Sequence, residues 1–218
     1  MEAQAVTYKY ILMCGGNYPG WETPRQLLKV KGERIVERTI RLLKEAGVDE
    51  GDIYISSNDR RFIPYAPVLF HDNPYVGYSE RGGYWVDAFY PTQEPACYIM
   101  GDVIFSPAAI KTIVEKETDR VDFFASSPPF DYRYAKRWAE PFAFKVADQV
   151  YFRQCINEVK RLQDAGRFRR MPIAWELWQV ASGTQLNIIM YYNYTTINDY
   201  TCDVDRVEDV AAIERWVE

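Results

Sequence analysis

Strand-like and helix-like patterns alternate along this chain almost from end to end, and that alternation restricts the fold more than any other feature. The opening YKYILM, residues 8–13, reads as a buried strand. Residues 14–25, CGGNYPGWETPR, carry three glycines and two prolines and so read as a loop. In ERIVERTIRLLKEAG, Ile35, Val36, Ile40, Leu43 and Ala46 recur at helical spacing, and Gly47 supplies a C-terminal stop. DIYISS, residues 52–57, is a second strand. A β-loop-α-β start is the signature of a parallel sheet joined by right-handed crossovers.

The remainder keeps the rhythm. PVLF, residues 67–70, is a short strand, and a helix is expected around Tyr84–Tyr90. ACYIMG, residues 96–101, is a buried strand ending at Asp102, and Ser106-Pro107 has the form of an N-cap followed by the first helical residue. VDFFAS and EPFAFKV are strands, residues 148–165 a long helix, and WELWQVA a shorter one. YTCDV is the last strand and VEDVAAIERWV the closing helix. The pattern predicts one α/β domain over residues 1–218, a three-layer αβα Rossmann-like arrangement around a central mixed, mostly parallel sheet.

Composition narrows the function. A net charge of −5 without Lys/Arg blocks argues against general nucleic-acid binding, which needs phosphate neutralisation. An anionic small molecule remains compatible, because a local site can oppose the global charge when it holds a metal. No apolar stretch approaches the roughly 20 residues of a membrane span, and MEAQAVTYKYILMCGG lacks the build of a signal peptide. Cys14, Cys97, Cys155 and Cys202 form no C-x-x-C unit and read as reduced, buried thiols, so a cytoplasmic location is expected. His71 is the one histidine, so any histidine-based mechanism would rest on it, and its apolar surroundings favour a structural role. The aromatic runs at 75–90 and 191–200 suit a core or a subunit interface, which allows a homodimer.

Open α/β sheets bind ligands outside the carboxyl ends of their strands. Three features fall there: the loop Cys14–Arg25, Gly101-Asp102, and Asp203-Val204-Asp205. A glycine loop lets backbone N–H groups approach phosphate, although this one matches neither G-x-G-x-x-G nor G-x-x-x-x-G-K-[ST]. Carboxylates from two strand ends suit a hard cation such as Mg²⁺. Asp205 with Glu208 three residues later fits a capping box for the last helix, which leaves Asp203 as the freer ligand.

Three segments together resemble the nucleotidyltransferases of the glycosyltransferase-A-like fold. They are ILMCGGNYPGWETPRQLLKVKGERIVERTIRLLKEAGV, YIMGDVIF and CDVDRVEDVAAIE, and the last is similar to the closing Asp-x-Asp of cytidylyltransferases. The resemblance implies that Cys14, Gly15, Gly16 and Asn17 border the nucleotide phosphates, with Arg25 at the place of the family's Pro-Lys lysine. It implies Mg²⁺ held by Asp102 and Asp203 with Asp205, and catalytic roles for Arg25 and Asp102. NPYVGYSERGGYW, with Ser79, Gly82 and Gly83, occupies the place of the base- and sugar-contacting segment. Glu140 and Lys145 flank a strand where the family's acceptor site would lie.

The chain departs from the family twice. The basic residue expected soon after the glycines is missing from NYPGWET, and the Pro-Lys is Pro24-Arg25. Arginine differs from lysine in geometry and reach but can clamp phosphates bidentately. The implied reaction is attack of an acceptor phosphate oxygen on the α-phosphorus of a nucleoside triphosphate, CTP or UTP by preference, with pyrophosphate leaving. The acceptor is a small phosphorylated or acidic-sugar molecule. The competing readings are a glycosyltransferase of the same fold and a non-catalytic nucleotide-sugar binder.

Overall fold

Ile11 and Leu12 are adjacent in sequence and therefore point to opposite faces of a strand, yet both are completely buried. The strand that carries them, β1 (Lys9–Met13), must be covered on both sides. The computed structural model, which describes residues 6–15, 21–72, 83–129 and 137–217, shows how. After β1 come the hairpin strands β2 (Lys29–Val30) and β3 (Glu33–Arg34), the helix α1 (Ile35–Glu45), and the strands β4 (Ile53–Ser57) and β5 (Val68–Phe70). Then follow β6 (Ala96–Met100), β7 (Val103–Ile104), α2 (Pro107–Glu115), β8 (Val121–Ala125) and β9 (Pro141–Val146). The chain closes with α3 (Gln149–Asp164), α4 (Ala174–Ser182), β10 (Thr195–Thr196), β11 (Cys202–Asp203) and α5 (Val207–Glu214).

Among the described residues, seven strands make one sheet in the order β10-β8-β9-β6-β1-β4-β5. β1 runs parallel to β4 and β6, β4 to β5, and β8 to β10. β9 alone runs antiparallel to its neighbours, β6 and β8. The expected mixed, mostly parallel sheet is thus present.

Two consecutive residues of β9 identify the layers. Phe144 lies across from Tyr98 and Phe123; it packs with Tyr98 against Phe152 of α3, while Trp178 of α4 stacks on Phe123. Lys145 points to the other face and donates to the Ile113, Val114 and Lys116 carbonyls at the C-terminal end of α2. α1 packs beside α2, and α3 beside α4, so helices cover both faces. The aromatic residues Phe89, Tyr98, Phe123, Phe144, Phe152, Trp175 and Trp178 fill the α3/α4 side of the core.

The helix caps follow the sequence. Ser106 accepts from the Ala109 N–H at 2.9 Å to start α2, and Asp148 accepts from Tyr151 at 2.9 Å to start α3. The expected helix around Tyr84–Tyr90 is instead a single 3-10 turn over Trp85–Ala88. Seven residues between Gly83 and Pro91 are too few to sustain an α-helix on their own, and a residue before proline is pushed out of helical geometry. All four cysteines are buried free thiols, as expected. Among the described residues no helix is long and apolar enough to cross a membrane.

The last strand departs from expectation. β11 does not join the main sheet; it pairs antiparallel with β7, Asp203 opposite Val103 and Cys202 opposite Ile104. A second, smaller apolar cluster of Val30, Ile35, Ile104, Cys202, Val204, Ile213 and Val217 lies beneath this ladder. It gathers the β2/β3 hairpin, the β7/β11 ladder and α5 into one unit. Buried Arg38 of α1 ties that unit to the rest, donating to the Phe105 carbonyl at 3.3 Å and the Tyr200 hydroxyl at 3.1 Å.

Candidate active site

The site begins where β1 and β6 end side by side. Beyond Met13 and Met100, which are paired in register, lie Cys14-Gly15 and Gly101-Asp102. The Gly101 N–H bonds the Met13 carbonyl at 3.2 Å. A Cβ on Gly101 would come within 2.6 Å of that carbonyl oxygen and 2.7 Å of Cys14 Sγ. The glycine is required by this close approach. Burial, followed by the charge of Asp102, pushes the Cys14 thiol well above its ordinary range, so it is inert filling rather than a nucleophile. A side chain on Gly15 would meet only open space.

Asp203 reaches Asp102 through the β7/β11 ladder. The chain turns at Gly101-Asp102 and runs on into β7, and the Val204 N–H bonds the Asp102 carbonyl at 3.0 Å. Asp102 and Asp203 therefore come together, as expected, but through a local antiparallel ladder and not as two ends of one parallel sheet. Glu140 joins them because β9 is antiparallel: its first residues lie at the edge where β6 and β8 finish. The Glu140 carbonyl accepts from the Ser126 N–H and the Glu140 N–H donates to Ser126 Oγ, each at 2.9 Å, and Glu140 Oε2 accepts from the Asp203 N–H at 3.3 Å.

Arg25 completes the group. It opens a 3-10 turn, Arg25–Leu27, whose next residue, Gln26, is buried against Gly101. Arg25 Nη1 lies 3.1 Å from Asp205 Oδ1 and 3.7 Å from Asp102 Oδ2, and the guanidinium carbon stands 5.5 Å from the centroid of Trp21. The expected Asp205–Glu208 capping box is not formed. The box uses Asp209, whose Oδ2 accepts from the Arg206 N–H at 2.8 Å and the Asp205 N–H at 3.1 Å. The N-cap is Arg206 and not Asp205, with the helix starting at Val207, which leaves the Asp205 carboxylate to pair with Arg25.

Lys145, expected at the acceptor site, lies away from it with its ammonium on the end of α2. It stands five positions after Glu140, roughly 17 Å along a strand, and the odd spacing puts it on the opposite face. Gly83 is held against α3, its carbonyl accepting from Gln163 Nε2 at 3.4 Å. Gly16, Asn17, Ser79 and Gly82 lie outside the described residues. His71 sits edge-on to Tyr90 with Nδ1 3.3 Å from Ser56 Oγ, in a packing role.

Beside the carboxylates opens a cleft of about 210 Å³ lined by Arg137, Trp138, Glu140, Asp203, Asp205, Arg206 and Asp209. The sequence reading missed Gln26, Arg137, Trp138, Arg206 and Asp209. Arg137-Trp138 stands one residue before the strand segment EPFAFKV, and an Arg-Trp pair next to a strand end was the available signal; the structure leaves that tryptophan exposed. A larger depression of about 570 Å³ flanks α1, but its charged lining is already paired, Arg41 to Glu45 at 2.8 Å.

Burial first, then the Glu140, Asp205 and Asp102 carboxylates, push the Asp203 carboxyl well above its ordinary value of 3.8, against a smaller pull from Arg25. The folded chain then holds this proton at pH values where the unfolded chain has lost it. Its stabilising effect is full below 3.8 and disappears as pH rises through the raised folded value. In Asp203→Asn that slope is absent, and the variant should melt higher than the parent at neutral pH in divalent-free buffer. Melting curves from acid to neutral pH check this; an unchanged or lower Tm at neutral pH contradicts it.

Among the described residues no three His, Cys, Asp or Glu side chains are arranged as a metal-holding group. The donor set of Asp102, Asp203 and Asp205 is nonetheless all carboxylate oxygen, the type Mg²⁺ takes alongside water and phosphate. The chemistry of the donors fits that ion.

No protein-family model matches the chain, and no curated protein matches it by sequence. Solved structures do. The chain is similar to the CTP:phosphocholine cytidylyltransferase of Streptococcus pneumoniae, with a TM-score of 0.55 at 14% identity, over 98% of this chain and 100% of that one. It is similar to the 4-diphosphocytidyl-2C-methyl-D-erythritol synthase of Anaerococcus prevotii, with a TM-score of 0.55 at 10% identity over 96% and 98% of the two chains. The inositol-1-phosphate CTP transferase of T. maritima gives 0.50 at 12% identity over 97% and 98%. At such identities the shared property is the fold, and the resemblance carried by the sequence motifs holds at that level: the chain has the Rossmann-like α/β fold of the nucleotidyltransferases, built around a seven-stranded, mostly parallel sheet.

Proposed function

We propose that the protein is a Mg²⁺-dependent nucleotidyltransferase that moves a nucleoside monophosphate from CTP or UTP to a small phosphorylated or acidic-sugar acceptor. The observation that carries this reading is the meeting of Arg25 with Asp102 and Asp205, beside Asp203, at the strand ends next to Cys14-Gly15. An acceptor phosphate oxygen forms a bond to the α-phosphorus while the bond to the β-phosphate bridging oxygen breaks in line, releasing pyrophosphate. With a phosphorylated acceptor the nucleophile is already anionic, so no side chain need remove a proton, and neither buried Cys14 nor packed His71 is required.

The work of the chain is positioning and charge neutralisation. The open backbone at Gly15 admits phosphate, and Arg25 steadies the charge growing on the pyrophosphate. Asp102 and Asp203, with Asp205, would hold Mg²⁺, which supplies neutralisation of the phosphate oxygens when bound. The cleft between β9 and α5 receives the acceptor, with Glu140, Arg137 and Arg206 at its walls.

The test is pyrophosphate release from each nucleoside triphosphate with Mg²⁺ and a panel of phosphorylated and acidic-sugar acceptors, with mass detection of the conjugate. Release that depends on both substrates supports the reading. Turnover of nucleotide-sugars without pyrophosphate would identify a glycosyltransferase. Nucleotide-sugar binding without turnover would identify a binder.

A further inference from the structure

One cationic group already occupies the carboxylate cluster. Arg25 Nη1 faces Asp205 at 3.1 Å and Asp102 at 3.7 Å, and both contacts come from the same nitrogen. The side chain is only 12% exposed, with the Trp21 ring beside it at 5.5 Å. Its backbone is anchored on two sides. Gln26 is buried at 2% exposure under Gly101, and Leu28 and Trp21 pack on the second apolar cluster. Asp203 and Glu140 complete a set of four carboxylates in this small space. Like charges so close need a counter-charge, and the fold supplies one from its own chain.

We propose that Arg25 is the resident counter-ion of this cluster in the nucleotide-free protein, and that a free divalent cation and the guanidinium exclude one another there. A cation that takes Asp102 and Asp205 must first displace Arg25 from both. A triphosphate resolves the conflict by offering the guanidinium a stronger anionic partner, which releases the carboxylates to the ion that arrives with the nucleotide. This second step rests on the nucleotidyl-transfer reading; the exclusion itself does not. The consequence is an order of events. The bare protein takes a divalent ion weakly, and the metal–nucleotide complex enters as a unit. Trp21 acts as a positioning residue that holds the guanidinium plane toward the two aspartates.

The experiment is Mn²⁺ binding by calorimetry on the full chain without nucleotide. Arg25→Gln should bind Mn²⁺ about tenfold more tightly than the parent, a difference of about 1.4 kcal/mol. Arg25→Lys, which keeps the charge, should stay close to the parent. Trp21→Leu keeps every charge and should show a smaller gain in the same direction; it carries the test if the Arg25 variants fail to melt cooperatively. Millimolar guanidinium ion should reverse the gain in Arg25→Gly and leave the parent unaffected. With a non-hydrolysable triphosphate present, the order reverses and Arg25→Gln binds the Mn²⁺–nucleotide complex more weakly.

Equal Mn²⁺ affinity in the parent and Arg25→Gln overturns the proposal, as does undetectable Mn²⁺ binding in both. If Arg25→Gln tightens Mn²⁺ but the parent releases no pyrophosphate from any triphosphate, the counter-ion role stands and the enzymatic reading fails. If pyrophosphate is released and Mn²⁺ affinity does not respond to Arg25, the enzymatic reading stands and the exclusion is wrong.

Discussion

Asp102→Asn should lower turnover by about a thousandfold, while the melting temperature stays close to that of the parent. The separation of the two effects follows from how Asp102 is used. Its backbone carbonyl accepts from the Val204 N–H at 3.0 Å and so helps hold the β7/β11 ladder, and the asparagine variant keeps that bond. What the variant loses is one negative charge between Arg25 and the Asp203 carboxyl. In the proposed mechanism that charge helps hold the ion that neutralises the phosphates, and removing it leaves the transition state under-compensated. If Asp102 were only a partner for Arg25, a 3.7 Å ion pair would be worth little and the loss would be slight. Initial rates at saturating Mg²⁺, with circular dichroism as the control, separate the two outcomes. A fall of less than tenfold would remove Asp102 from the catalytic group.

Gly101→Ala should lower stability by about 3 kcal/mol, because overpacking a rigid site leaves no cheap relaxation. For a chain of this length that corresponds to a fall in Tm of roughly 6–12 °C. The added methyl carbon would lie 2.6 Å from the Met13 carbonyl oxygen, which is backbone, and 2.7 Å from Cys14 Sγ, which is buried. The third neighbour, Gln26 Cγ at 3.1 Å, is also buried and close to the Arg25 turn. Every route of relief shifts either the end of β1 against β6 or the turn that carries Arg25. Activity should therefore fall along with stability, and Cys14→Ala in the same chain should restore part of both by clearing one of the two clashes. Melting curves of the single and double variants test this; a Gly101→Ala protein as stable as the parent would mean that the strand ends can spread at no cost.

The strands of the core were legible because their own residues state their environment. β1 and β6 are apolar runs, as strands buried on both faces generally are. α1 was legible from its 3.6-residue spacing and α2 from Ser106, which caps its own helix. Local chemistry of this kind needs no distant partner. Gly101-Asp102 at the end of an apolar strand was readable on the same ground, because a strand end in a parallel sheet is a place as well as a conformation.

Strand direction and partnership were not legible. The alternation in EPFAFKV is the same read up or down, so the sequence placed Glu140 and Lys145 together at the flanks of one strand. The antiparallel run of β9 carries Glu140 to the carboxylates and Lys145 to the far end of the sheet, under α2. YTCDV reads as a strand but does not name its partner, and its pairing with β7 is decided by the second apolar cluster. The competition for the first turn of α5, between Glu208 with Asp205 and Asp209 with Arg206, is a choice between two nearly equal local boxes. The sequence by itself determined the alternating layers, the sheet and the two aspartates at strand ends, since burial and capping act over a few residues. The tertiary structure alone decided that Asp205 is free, that Arg25 fills the gap between it and Asp102, and that Glu140 supports Asp203. Those contacts join residues far apart in the chain, and only the packing of β9, β11 and α5 against the end of β6 brings their charges within reach of one another.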